Sequence, residues 1–390
     1  MLVPHPPGAN IITGKWAFWH KLLPDGSLDS ISSDTSLFVL HGPDDVAMLL
    51  LYVDDIVITA SRLDLLHDII GRLGTKFRLK DLRALHFFLG INVRCDSSRF
   101  FIHQGQYALD LLDRAGMTDC KPAATPVEAK PKLSTTAGQP AKDVALYRSI
   151  VGALQYLTLT RPDIQFAVQQ ICLHMHLPCD VHWSLVKRIL RYIRGTPAFD
   201  LRLRASASTE FAYTDADWAG CHDTRRSTSG YCVFFGDSLI SWSCKRQPTV
   251  SRSSAEAEYH VVANVVAKTC WLCQLLSELR VSIPKATVVF CDNVLATYLA
   301  ANPVQHKRTK HIELDVHFVR EKVQLGQLCV LHVPTTQQFA DIMTKGLPTV
   351  AFQEFHSSLC IADADASTAG RGGGGGVLNV TYLHCYSYLL

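Results

Sequence analysis

The chain has 390 residues, 48% of them hydrophobic and 19% charged, with 38 Lys and Arg against 35 Asp and Glu and a formal net charge of +3. This length predicts two or three domains with ordinary apolar cores, and so small a net charge excludes composition alone as an argument for a nucleic-acid partner. Met1-Leu-Val-Pro-His-Pro-Pro lacks the basic start and apolar core of a secretory signal, and no apolar run reaches bilayer length. The expectation is a cytoplasmic or nuclear chain with no membrane partner and with its 13 cysteines reduced. Cys270 and Cys273 form a Cys-x-x-Cys inside a helical pattern with no second pair nearby, which reads as a reduced helix pair rather than zinc or redox chemistry.

From the start, an apolar stretch, Gly14-Lys-Trp-Ala-Phe-Trp-His-Lys-Leu-Leu, ends in the turn Pro24-Asp-Gly-Ser27. A polar run from Asp29 leads to Ser36-Leu-Phe-Val-Leu40 and then to a hairpin, Val46 to Ala60, whose apolar arms flank Asp54 and Asp55. An Asp-Asp pair there is often only a turn, but arms this apolar predict a tip facing an interior or a site. Helical spacing follows at 63–73 and 107–115. Pro122, Pro126, Pro131 and Pro140 then make 120–142 an extended connection. Helix returns at 144–159, after Pro162, and most clearly at 181–194. There Leu185, Val186, Ile189, Leu190 and Ile193 fill one arc, and Lys187, Arg188, Arg191 and Arg194 fill the other. Such a basic face is either solvated or a row of phosphate contacts.

Phe211-Ala-Tyr-Thr-Asp-Ala-Asp-Trp-Ala-Gly220 alternates as a strand, with Asp215 and Asp217 on one face beside Phe211 and Tyr213. Carboxylates in such company are costly without a cation. A hairpin at 230–244 turns at Gly236-Asp237, and Ser253-Ser254 caps a long helix reaching Leu279. Helical phase aligns Glu258 with Val261, Val262 and Val265 on the face that must pack, and sends Glu256 to solvent. Lys285 to Asp292 is a buried strand with its acid at the carboxyl end, followed by helix 294–301, strand 328–334, and a helix beginning near Gln337 that carries Asp341. Asp215, Glu258, Asp292 and Asp341 thus end a strand, a helix, a strand and a helix, a pattern that predicts one metal site. The cluster His306, Lys307, Arg308, Lys310 and His311 fits no structural zinc spacing and suggests phosphate contacts. After Ile361, Asp, Ala and a glycine run predict a tail largely without structure.

Several of these stretches carry a resemblance. Tyr52-Val-Asp-Asp55 resembles the reverse transcriptase signature, and 51–60 resembles copia-type LTR retrotransposon Pol polyproteins. Phe77 to Leu82, Phe87 to Ile91, Tyr147 to Leu157 and Thr160-Arg-Pro-Asp-Ile164 are similar to that family's thumb and connection. Thr214 to Gly220, Ser253 to Tyr259, Cys291-Asp-Asn293, Arg308 to Ile312 and Ala340 to Lys345 resemble its ribonuclease H domain.

The resemblance implies a mixed α/β fold. A polymerase remnant would span 1–119, a proline-rich linker and helical connection 120–208, a ribonuclease H-like domain with a five-stranded mixed sheet 209–348, and a tail 349–390. It further implies metal-dependent cleavage of RNA in RNA–DNA hybrids, with Asp215, Glu258, Asp292 and Asp341 holding two Mg²⁺ ions (Mn²⁺ as the alternative), and other retrotransposon products as candidate partners.

One departure stands out. A polymerase of this type needs a third Asp from an earlier strand beside Asp54 and Asp55. None of Asp25, Asp29, Asp34, Asp44 or Asp45 ends an apolar strand. An internal block is therefore expected to be missing near residues 28–33, with polymerase activity lost. The alternatives are a non-catalytic nucleic-acid-binding or inert remnant, and an integrase-like strand-transferase. The order of the acids, with the glutamate second, argues against the latter.

Overall fold

A computed structural model of the chain describes residues 29–43, 45–96, 99–129, 138–204, 210–281, 283, 285–301, 310–363 and 379–385. The fold is mixed α/β and divides into two compact units. At the expected deletion point near 28–33, residues 29–33 are described, and Asp29 and Ser30 pair with Val39 and Phe38.

The first unit is built on the residues up to His86. Its strands β1 (Asp29–Ser30), β2 (Leu37–His41), β3 (Val46–Tyr52) and β4 (Asp55–Ala60) run as antiparallel neighbours. The C-terminal strand Asn379–Cys385 is inserted between β4 and β5 (Leu79–Ala84). Alternation decides which face is covered: Ala47, Leu49, Ile56, Ile58 and Ala60 point one way and pack with Leu66 and Ile69 of α1 (Leu63–Gly74). Side chains buried so fully contribute about 1.5–3 kcal/mol each for Leu and Ile, so the hairpin has a small core of its own.

The tail departs from expectation, since 361–363 and 379–385 are both strands. Asn379-Val-Thr-Tyr-Leu-His-Cys385 is rich in β-branched and aromatic residues, a strand pattern that the glycine-rich composition before it masks.

The second unit begins with an antiparallel sheet. Strands β6 (Phe87–Phe88), β7 (Ile91–Cys95), β8 (Arg99–His103) and β9 (Phe199–Arg204) lie in succession, with β15 (Ile361–Asp363) on β9. Between β8 and β9 come the helices α2 (Gly105–Arg114), α3 (Val144–Leu157), α4 (Gln165–Cys172) and α5 (Asp180–Gly195). Buried charge fixes the α3–α4 corner. The Arg161 guanidinium reaches Asp163 with Nε at 2.9 Å and Nη2 at 2.6 Å, and gives Nη1 to the Thr196 carbonyl at 2.7 Å. Tyr192 donates to the same Asp163 carboxylate at 2.8 Å.

The larger sheet of this unit holds β10 (Glu210–Asp217), β11 (Thr228–Phe235), β12 (Ser238–Arg246), β13 (Thr287–Cys291) and β14 (Leu328–His332). The order is β12-β11-β10-β13-β14. The first three strands form an antiparallel meander, and β13 and β14 are added parallel to β10. This is the ribonuclease H-like arrangement. One face carries Ala212, Val233 and Val289 against Tyr259, Val262 and Val266 of α6 (Ser254–Glu278), Leu299 of α7 (Val294–Ala301) and Val316 of α8 (Glu313–Gln324).

The opposite face, with Cys232, Phe234, Leu239 and Cys244, shares one core with Leu111 of α2, Leu154 of α3, Ile189 of α5 and Phe352 and Phe355 of α9 (Thr349–Ser357). The boundaries expected at 119/120, 208/209 and 348/349 therefore do not separate independent bodies. A sheet flanked by apolar side chains on both faces needs cover on both, and here the connection supplies half of it. Among the described residues no helix is long and apolar enough to cross a membrane.

Candidate active site

Strand pairing explains why distant acids meet. Parallel register sets Thr214 of β10 opposite Cys291 of β13, so the next residues, Asp215 and Asp292, emerge side by side at the same end of the sheet. Asp215 is buried at 2% exposure. On α6, Glu258 lies on the packed face as its phase predicts, and its Oε1 accepts from the Ala216 amide at 3.1 Å. Glu256 instead sits at the helix start, where its Oε2 accepts from the Arg252 amide at 3.0 Å and its own amide donates to Ser253 Oγ at 3.2 Å. That is capping chemistry.

Asp341 comes from a 3₁₀ segment, Phe339–Met343, rather than from the start of an α-helix. Two features press that segment onto the sheet. Gln338, fully buried, donates from Nε2 to the Thr214 carbonyl at 2.9 Å. Gly230, the partner of Asp215 on β11, leaves room that a methyl group would fill, since its Cβ would lie 2.6 Å from Met343 Cβ and Thr344 Cγ2.

Asp215, Asp292 and Asp341 each offer a ligand atom within 4.8 Å of the others, and Glu258, Cys291 and Asp292 do the same. Thr335 donates to Asp292 Oδ2 at 3.0 Å, and the Thr344 hydroxyl donates to Asp215. Lys345 completes the cluster, with Nζ 2.9 Å from Asp341 Oδ1 and 3.6 Å from Asp215 Oδ2.

Burial, then the charges of Asp215 and Asp292, pushes the Glu258 carboxyl up to about 9. Burial and then Asp215 push Asp341 up to about 7, and burial raises Asp215 despite Lys345. Lys345 is held above its ordinary value because Asp215 and Asp341 outweigh the burial that would lower it. Carboxylates this crowded resist ionising together, and a divalent cation is the partner that would offset them. The donor set fits Mg²⁺ or Mn²⁺, since it is made of hard carboxylate oxygens. The Cys291 thiol is pushed far up by burial and then by Glu258, and hard cations such as Mg²⁺ prefer the carboxylate oxygens around it to sulfur.

The other predicted contacts divide. Lys187 is exposed on α5, but Arg188 donates to Glu128 at 2.8 Å and to Thr125 Oγ1 at 2.9 Å. Arg191 donates to the Lys121 carbonyl at 2.7 Å, and Arg194 to the Thr118 carbonyl at 2.5 Å. These guanidiniums bind the proline-containing segment to the helix, a use of the basic face that weighing solvent against phosphate overlooked. Even so, Lys187, Arg188 and Arg191 line a cleft of about 730 Å³ that also touches Asp217, Arg225, Arg246 and Lys345. His311 contacts Arg252, and Lys310 begins a 3₁₀ turn. His306, Lys307 and Arg308 lie outside the described residues.

Sequence reasoning missed Lys345, Gln338, Thr344, Arg225 and Arg246. Lys345 carried a signal, an acid–base spacing of four residues within Asp341-Ile-Met-Thr-Lys345. Gln338 and Thr344 carried none, because polar residues beside an acid have no periodicity.

Asp54 and Asp55 belong to the first unit. Val53 and Asp54 form the turn between β3 and β4, and Tyr52 and Val53 are exposed at 53% and 80%. The tip is therefore not enclosed as its apolar arms suggested. Leu49 on β3 and Ile56 and Ile58 on β4 pack within their own unit instead. Among the described residues, every close group of three or more His, Cys, Asp or Glu side chains lies around β10 and β13, and none includes Asp54 or Asp55.

Comparison with known proteins accounts for both regions. Residues 6–129 match the family model described as reverse transcriptase (RNA-dependent DNA polymerase). Two retrovirus-related Pol polyproteins of Arabidopsis thaliana, from transposons RE2 and RE1, are 46% and 47% identical over 90% and 87% of this chain. An uncharacterised mitochondrial protein of the same plant is 50% identical over 57% of this chain and 93% of its own length. The chain belongs to the copia-type retrotransposon Pol family. It spans about a quarter of the polyproteins, 24% of the RE2 protein and 23% of the RE1 protein. A solved ribonuclease H1 from a compost metagenome aligns with 38% of this chain and 98% of its own, at 14% identity and a TM-score of 0.29. The ribonuclease H-like fold rests on the strand order rather than on that alignment.

Proposed function

We propose that this chain is a metal-dependent ribonuclease that cuts the RNA strand of RNA–DNA hybrids, and that its polymerase part is inactive. The observation that carries the reading is the convergence of Asp215, Glu258, Asp292 and Asp341 from four separate elements into one cluster. Bound Mg²⁺ or Mn²⁺ would supply an activated water and offset charge on the leaving 3′ oxygen.

The chain's residues do the rest. The four carboxylates would hold the cation, while Thr335 and Thr344 fix the orientation of Asp292 and Asp215. Lys187, Arg225 and Arg246, opening on the cleft beside Lys345, suit phosphates spaced along a strand. Arg188 and Arg191 line the same cleft. The 2′-hydroxyl distinguishes RNA from DNA.

Ligand count supports the loss of polymerase activity. Two acids on adjacent residues diverge, and no third acid among the described residues joins them.

The test uses full-length protein on labelled hybrid with Mg²⁺ and then Mn²⁺. Since losing a residue that only supports a metal ligand costs about 10–100-fold, Glu258→Gln is expected to lower cleavage by at least about 100-fold. Glu256→Gln and the double change Asp54→Asn/Asp55→Asn should leave the rate unchanged. A folded wild-type chain that never cuts the hybrid would refute the nuclease, and equal losses at Glu258 and Glu256 would refute the assignment.

A further inference from the structure

We propose that Lys345 is an internal counter-ion of the carboxylate cluster, which a divalent cation must displace to take its place between Asp215 and Asp341. This rests on the metal-dependent reading above and deepens it.

The geometry sets one ammonium and one candidate metal against the same oxygens. Lys345 Nζ is 2.9 Å from Asp341 Oδ1 and 3.6 Å from Asp215 Oδ2. Mg²⁺ would need carboxylate oxygens at about 2.0–2.1 Å, so a metal and an ammonium sharing these two acids would stand only a few ångströms apart, like charges in a poorly solvated place. One has to leave. The acids are fixed, with side chains 3% and 8% exposed, whereas the Lys345 side chain is 39% exposed and so sits at the rim.

Its root is also fixed, because the Thr344 and Lys345 amides both donate to the Asp341 carbonyl at 3.1 Å. Only the four-carbon stem has to turn. It has somewhere to go, since Lys345 already lines the basic cleft with Asp217 and Gly220. An ammonium moved there would join the cations facing a nucleic-acid backbone. Without a metal, the same ammonium offsets acids that would otherwise repel one another. The chain thereby holds its site together at a cost in metal affinity.

Full-length wild type, Lys345→Met and Lys345→Arg, stripped with EDTA and dialysed, are titrated with Mn²⁺ alone by calorimetry, and thermal unfolding is followed in EDTA. Removing a competitor is expected to tighten Mn²⁺ binding by Lys345→Met roughly tenfold or more, within the usual range of coupling between sites. Metal-free Lys345→Met should unfold at lower temperature, and Lys345→Arg, which keeps the charge, should bind Mn²⁺ no more tightly than wild type. If Lys345→Met folds only when Mn²⁺ is added, the proposal is supported. If it does not fold at all, Lys345→Gln is held to the same criterion.

Unchanged or weaker Mn²⁺ binding on removing the charge overturns the counter-ion, as does the lack of Mn²⁺ binding by any of the proteins. Cleavage of hybrid at saturating Mn²⁺ is scored separately. Tighter binding with no cleavage in any protein would sink the nuclease and leave the counter-ion standing, whereas normal cleavage without tighter binding does the reverse.

Discussion

The hairpin around Asp54 and Asp55 and the sheet around Asp215 both place acids at the ends of apolar strands, but they obtain their neighbours in opposite ways. The hairpin's acids and core are local, although β4 also pairs with Asn379–Cys385 from the far end of the chain. Asp54 in the turn and Asp55 at the start of β4 are sequence neighbours, and the core comes from β3, β4 and α1 within a few tens of residues. The sheet site draws on β10, α6, the end of β13 and a 3₁₀ segment that lies more than a hundred residues beyond β10. An ion is held from several directions at once, so the second arrangement can serve one, and the first needs help from elsewhere in the chain. A signature that survives intact in sequence is therefore no measure of whether its chemistry survives.

The non-local site should break when distant parts are removed. A fragment of residues 209–348 leaves Cys232, Phe234, Leu239, Cys244 and Met343 without the helices and the α9 residues that share their core. Uncovering five such side chains costs about 5–10 kcal/mol, as much as a domain's whole stability. The expected outcome is an aggregating or molten fragment, while residues 87–363 fold with dispersed amide resonances. Cooperative unfolding of 209–348 alone would show that the connection is dispensable.

Much of this was readable in advance, and what was not has a physical cause. The alternation at 211–217, the helical phase of Glu258 and the apolar run ending in Asp292 are short-range patterns, and the structure bears out the strands, the helix and the burial of Glu258. Sequence could not tell that the connection covers the second face of the sheet, because apolar positions on α3 and α5 declare that they are buried but not against what. It likewise could not tell that Arg188, Arg191 and Arg194 bind the 118–128 segment, since an arginine's periodicity is the same toward water, phosphate or a carbonyl.

A second break lies at the α3–α4 corner, outside the carboxylate cluster. Burial alone would raise the Asp163 carboxyl, but the Arg161 guanidinium hydrogen-bonded to it, with His356 Nε2 3.7 Å away, holds it well below the ordinary carboxylate range. Arg161→Met leaves that charge buried without its cation and should cost about 3–5 kcal/mol, read as a lower denaturation midpoint with unchanged slope for the second unit.

The pH dependence has a fixed sign. A carboxyl depressed on folding contributes stability that is fully present above its unfolded value, near 3.9, and is lost as pH falls toward its folded value. Wild type should therefore lose stability below about pH 4, and Arg161→Met should lose less over that range because its contribution is already gone. Parallel acid curves for the two proteins would show that Asp163 is not held by Arg161.

The local site offers a smaller and opposite effect. Val53 sits at the hairpin tip with φ of +53°, a left-handed conformation that crowds a β-branched side chain and costs an L-residue about 1–2 kcal/mol. It is also 80% exposed, so it contributes almost nothing by packing in return. Glycine adopts that conformation freely but gives up roughly 0.5–1 kcal/mol in backbone entropy on folding. Val53→Gly should accordingly stabilise the hairpin by about 0.5–1 kcal/mol, seen as slower hydrogen exchange at the β3 and β4 amides. Exchange in β10 and β13, and hybrid cleavage, should not change. If exchange instead quickens along β3 and β4, the valine is held at the tip by contacts that outweigh its strain, and the hairpin is not the self-contained element its core implies.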